Sequence, residues 1–108
     1  MKNQLTRGLS RRLMYVENKQ GEIDGARARI GWVTFSKSGK SVRYRGRSLA
    51  RSGGQGVLGN YFDEISGEEF WVSGVKRSGS NAQPGTGVSV IVDDDAAEAY
   101  VALRTSGA

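Results

Sequence analysis

The sequence predicts a mainly β fold: a small, strongly bent antiparallel sheet or partly open barrel with a short C-terminal helix. Three observations carry this. Residues 31–46 (GWVTFSKSGKSVRYRG) and 59–74 (GNYFDEISGEEFWVSG) each run from Gly to Gly over 16 residues, with Ser-Gly at the eighth and ninth positions. Such a Ser-Gly between β-rich arms suits a type I turn followed by a residue at positive φ, which places Gly39 and Gly67 at the turns of two hairpins. Glycine is 16 of 108 residues, against one proline, Pro84. The rest of the chain breaks into short β-branched and aromatic runs separated by turn signals, five to seven strands in all. The shared frame of the two hairpins is open to two explanations, a duplication or a common turn type.

In chain order, residues 12–17 (RLMYVE) form a first strand, and Asn18-Lys19-Gln20-Gly21 turns it. Asp24-Gly25 is a further turn signal. Residues 26–36 form the longest strand, but its alternation breaks. Ala28, Ile30 and Trp32 share one parity, while Val33 and Phe35 have the other. Gly31 between them predicts a β-bulge. After the turn at 37–40, residues 41–47 return as the partner strand, reaching toward Leu49. Residues 52–59 (SGGQGVLG) read as a flexible loop. Residues 60–65 and 68–75 make the second hairpin, and 76–87 a long polar loop. Residues 88–92 (VSVIV) form the last strand. Asp95 and Glu98 have capping-box spacing, so a helix follows over 96–104, with Ala96, Tyr100 and Leu103 on one face.

Charge divides the chain unevenly. Net charge is +5, yet residues 1–13 alone hold Lys2, Arg7, Arg11 and Arg12 and no acid. They read as a basic, flexible leader before a single β-rich domain over 14–108. The chain has neither Cys nor His. That removes disulfides, thiolate metal sites and the commonest general base, so no enzyme, cofactor or metal is expected. No run is apolar enough for a membrane span or signal core, which points to a cytoplasmic protein.

Four motifs bear on chemistry. Gly54-Gln55-Gly56-Val57-Leu58-Gly59 matches GxGxxG, but residues 60–62 read as strand where a dinucleotide site needs a helix. Gly53-Gly54-Gln55 resembles the GGQ tripeptide of peptide-chain release factors, over those residues alone. Asp93-Asp94-Asp95 has the oxygens to ligate Mg²⁺ or Ca²⁺, or simply provides acidic charge at a helix N-terminus. The arginines form the fourth pattern. Arg27 and Arg29 alternate on the long strand, and Arg43, Arg45 and Arg47 alternate on its partner. Paired, they would line one face of the sheet, with Arg51 extending the stripe. Such a stripe suits phosphate backbones, with Trp32, Tyr44 or Trp71 available for stacking. The alternative is a solvent face neutralised by the second hairpin's Asp63, Glu64, Glu68 and Glu69.

The strings IDGARARIGWVTFSKSGKSVRYRG and NYFDEISGEEFWVSGVK resemble a group of small bacterial proteins, over roughly residues 14–77. The resemblance implies a cytoplasmic bacterial protein and carries over no catalytic residue. Two expectations of function result. One is a nucleic-acid-binding module using Arg27, Arg29, Arg43, Arg45, Arg47, Arg51, Trp32 and Tyr44. The other is a protein-interaction module (an adaptor, inhibitor or immunity-type protein) using Tyr61, Phe62, Asp63, Glu64, Glu68, Glu69, Phe70 and Trp71. The partner is accordingly a nucleic acid or an acidic protein, and oligomeric state is left open.

Overall fold

The computed structural model describes residues 10–54, 57–79 and 88–106. Seven strands occur in chain order: β1 Ser10–Asn18, β2 Ala28–Phe35, β3 Ser41–Tyr44, β4 Arg47–Arg51, β5 Tyr61–Asp63, β6 Glu69–Gly74 and β7 Val90–Val92. A 3-10 turn over Asp94–Ala96 leads into α1, Ala97–Ser106. Sheet order is β1-β6-β5-β4-β3-β2-β7, and β1 also pairs with β2. That extra pairing closes six antiparallel strands into a barrel, leaving β7 outside as a parallel partner of β2. The predicted fold class is therefore observed, with the barrel closed rather than partly open.

Closure explains the broken alternation of β2. Its Val33 and Phe35 face the barrel interior, which is filled by Val16, Val42, Tyr44, Leu49, Tyr61, Phe70 and Val72. Its Ala28 and Ile30 face outward into a second core with Tyr15, Trp71, Val90, Val92 and Tyr100. A strand covered on both faces has no polar parity to display. The predicted bulge at Gly31 is absent, because β1 and β2 pair residue for residue from Ser10↔Phe35 to Glu17↔Ala28. Gly31 serves a different need. A Cβ there would lie 2.1 Å from Asp93 Oδ2 and 2.9 Å from Tyr44 Cε1.

Other boundaries also move. β1 begins at Ser10, so residues 10–13 of the predicted leader are strand residues paired with β2. Residues 1–9 lie outside the described residues. The predicted return strand over 41–47 breaks at Arg45-Gly46, which form a two-residue turn between β3 and β4. Both have positive φ, 47° and 79°, as a type I′ hairpin requires. Arg45 is an unusual residue there, since the left-handed region costs an L-residue about 1–2 kcal/mol. Asp24-Gly25 makes a matching turn, with φ of 49° and 90°. The predicted turns at 37–40 and Ser66-Gly67 are present, with Gly39 at φ 75° and Gly67 at φ 79°. The capping box does not form. The 3-10 turn starts at Asp94, and the preceding Asp93 makes no side-chain cap, its carboxylate being engaged elsewhere. Among the described residues no helix is long and apolar enough to cross a membrane.

Candidate functional site

The predicted arginines do not share a face. Arg27 precedes β2 and lies 3.4 Å from the buried Glu17 carboxylate. Arg29 points to the end of the barrel where β7 leaves. It donates to Asp93 at 3.0 Å and to the carbonyls of Ile23 and Asp24 at 2.7 and 2.6 Å. Arg43 projects outward from β3, while Arg45 sits in the turn and Arg47 starts β4 with the parity of Leu49. The break at Arg45-Gly46 is the reason: it ends the alternation that would have aligned 43, 45 and 47.

Two carboxylates organise the arginines at this end. Asp24 accepts from Arg45 Nε at 2.6 Å and from Arg47 Nη2 at 3.1 Å. These bonds hold the Asp24 carboxyl down at about 2, Arg47 contributing most and Arg45 next. The Asp24 carboxylate in turn raises the Arg45 guanidinium above its usual range. Asp93 is buried. It accepts from the Tyr44 hydroxyl at 2.5 Å and lies 3.4 Å from Arg45 Nη1. Burial, then the Asp93 bond, pushes the Tyr44 phenol well up. Tyr44 is therefore a core residue and is not available for stacking. Trp32 is half-buried, its Nε1 donating to the Asp95 carbonyl at 3.0 Å. Two open clefts adjoin along Trp32, Tyr44 and Arg45. One, of about 570 Å³, runs past Arg29 and Asp93 to Asp95, and one of about 360 Å³ past Arg43, Arg47 and Ser48.

The opposite end of the barrel is different. Arg11 and Arg12 begin β1, Lys37 and Lys40 flank the β2–β3 turn, and Arg51 ends β4. Register places them together: Ser10 pairs with Phe35, and the Arg51 amide bonds the Lys40 carbonyl at 2.8 Å. Arg43 adjoins them on the outer face, where Arg11, Thr34 and Arg43 are direct neighbours across β1, β2 and β3. Among the described residues, none of these six cations is paired with a carboxylate. Three of them lie over aromatic rings: Arg11 4.4 Å from Trp32, Arg12 5.7 Å from Phe35 and Arg51 6.0 Å from Tyr61. Four of the six, Arg11, Arg12, Lys37 and Lys40, were not among the site residues expected from sequence. One signal could have found Lys37 and Lys40: residues 25–62 hold eight Lys and Arg and no acid.

The second hairpin's acids are spent on backbone amides and neutral side chains rather than on arginines. Tyr61 and Phe70 are buried in the barrel, and Trp71 packs in the outer core. Asp63 is buried, accepting the amides of Ile65 and Ser66. Glu68 takes Asn18 Nδ2 at 3.3 Å. Glu69 accepts the amides of Leu58 and Gly59 at 2.8 and 2.9 Å, and these bonds, Gly59 first, lower its carboxyl. Glu64 is exposed and meets Ser48 Oγ at 2.7 Å. The expected neutralisation of the first hairpin's arginines by these acids does not occur; Asp24 and Asp93 pair with Arg29, Arg45 and Arg47 instead. Of the predicted interaction residues, Phe62 and Glu64 remain on the surface.

The remaining motifs find structural explanations. Strand β5 follows the GxGxxG run, and a Cβ on Gly59 would strike the Phe70 backbone oxygen at 2.2 Å. Gln55, which completes the GGQ tripeptide, lies outside the described residues. Asp93 is committed to Arg29, Arg45 and Tyr44, and among the described residues no acidic group is arranged to hold a metal. The chain matches no family model, no curated protein and no solved structure, so the functional reading rests on this geometry.

Proposed function

We propose that the protein is a small non-enzymatic module that binds the phosphate backbone of a single nucleic-acid strand through the basic end of its barrel. The observation that carries this reading is the set of six cations, Arg11, Arg12, Lys37, Lys40, Arg43 and Arg51, without a carboxylate partner among the described residues. Uncompensated like charges on one surface repel, and a polyanion relieves them while releasing its own counterions. The Arg11–Trp32 pair favours a strand over a duplex, since a guanidinium held flat on a half-buried ring offers its outer side to an unpaired base.

The test is fluorescence anisotropy with a labelled single-stranded oligonucleotide at several salt concentrations. Each phosphate contact contributes about −0.7 to the slope of log affinity against log salt. The double variant Arg11→Gln/Arg43→Gln should bind more weakly and show a slope shallower by about 1.4. Absence of binding at low salt, or binding unchanged by the substitutions, overturns the reading. A protein-interaction role keeps one specific support: Phe62 on β5 and the 96% exposed Ile65 in the turn after it are large hydrophobic side chains left on the surface.

A further inference from the structure

We infer that Arg45 and Arg47 form an anion clamp that Asp24 occupies in the free protein, and that a phosphate of the bound strand displaces it. This rests on the reading above and adds a gate to the same surface. The clamp is built as a phosphate site would be. The Asp24 carboxylate receives Arg47 through both terminal nitrogens, at 3.1 and 3.4 Å, and Arg45 through Nε at 2.6 Å. A carboxylate held by one guanidinium fork and a second guanidinium Nε presents the same acceptor geometry that a phosphate oxygen pair offers. Arg45 and Arg47 also line the 360 Å³ cleft that begins at Arg43, so a strand crossing the basic end reaches them next.

Both clamp arginines have a partner besides Asp24, whereas the Asp24 carboxylate bonds only the clamp. Arg45 is fixed at a two-residue turn with φ 47°, and Arg47 donates to the Arg45 carbonyl at 3.2 Å. Asp24 sits at the tip of a two-residue turn, its side chain 42% exposed. When the strand arrives, Asp24 swings to solvent and both guanidinium groups keep a ligand throughout. Arg45 retains Asp93 at 3.4 Å as a second partner, which keeps it placed during the exchange. No bond is made or broken; one anion replaces another.

The experiment compares Asp24→Asn with Asp94→Asn in the full chain, using the same oligonucleotide and salt series. Each removes one negative charge. Asp24→Asn preserves the turn, because Asn-Gly favours the type I′ geometry that Asp24-Gly25 adopts. Asp94 is exposed and bonds neither clamp arginine. Asp24→Asn should tighten binding about tenfold, as no carboxylate has to be displaced, and leave the salt slope nearly unchanged, as both proteins make the same phosphate contacts. Asp94→Asn should change the affinity little. If wild type binds but the two variants behave alike, or Asp24→Asn weakens binding, the clamp is refuted and the basic-end reading stands. If wild type and both variants fail to bind at low salt, both are refuted.

Discussion

Gly31 has no side chain because Asp93 and Tyr44 occupy the space one would need. Asp93 follows β7, its amide bonding the Ile30 carbonyl at 2.8 Å, and its carboxylate reaches back over Gly31 to the Tyr44 hydroxyl. One missing methyl thus lets the last strand lock onto the barrel. Gly31→Ala should destabilise the fold by about 2–3 kcal/mol, the scale of overpacking a rigid site plus disturbing a buried polar contact. Gly74→Ala is the control, since nothing lies within 4 Å of its Cβ position and its φ is ordinary. Urea denaturation of the pair checks this, and equal midpoints would contradict it. The sequence marks Gly31 as special but points to a bulge. The partner responsible, Asp93, lies 62 positions away, and nothing local indicates it.

Among the elements, the turns were the most legible. Ser-Gly after a strand specifies a residue at positive φ, and Gly39 and Gly67 both adopt it with open space around them. A side chain there meets backbone strain alone. Gly39→Val and Gly67→Val should each destabilise by about 1–2 kcal/mol, measured by thermal or urea unfolding. Changes near zero at both would remove the turn argument. The turn at Arg45-Gly46 was missed because Arg stands where turn chemistry favours Asn, Asp or Gly. Missing it fused β3 and β4 into one strand, and the apparent alternation of Arg43, Arg45 and Arg47 followed from that error. Likewise, the start of β1 was hidden. Ser10, Arg11 and Arg12 look like tail residues until β2 supplies the partner that makes them a strand.

At the scale of the molecule, charge is sorted along the barrel. Asp24, Asp93, Asp63, Glu64 and Glu68 gather with Arg29, Arg45 and Arg47 at one end, through the turns and registers that meet there. Arg11, Arg12, Lys37, Lys40 and Arg51 gather at the other, with Arg43 on the adjoining face. Composition contains the positive balance but not its location, which only closure of the sheet determines. The most direct test is an amide and side-chain chemical-shift titration of the isotope-labelled protein with a short single-stranded oligonucleotide at low salt. Shifts should concentrate at Arg11, Arg12, Trp32 Nε1, residues 34–43 and Arg51, reach Asp24, Arg45 and Arg47 where the strand enters the clamp, and diminish as salt rises. Shifts centred instead on Phe62 and Ile65, or no shifts at all, would contradict the basic-end reading.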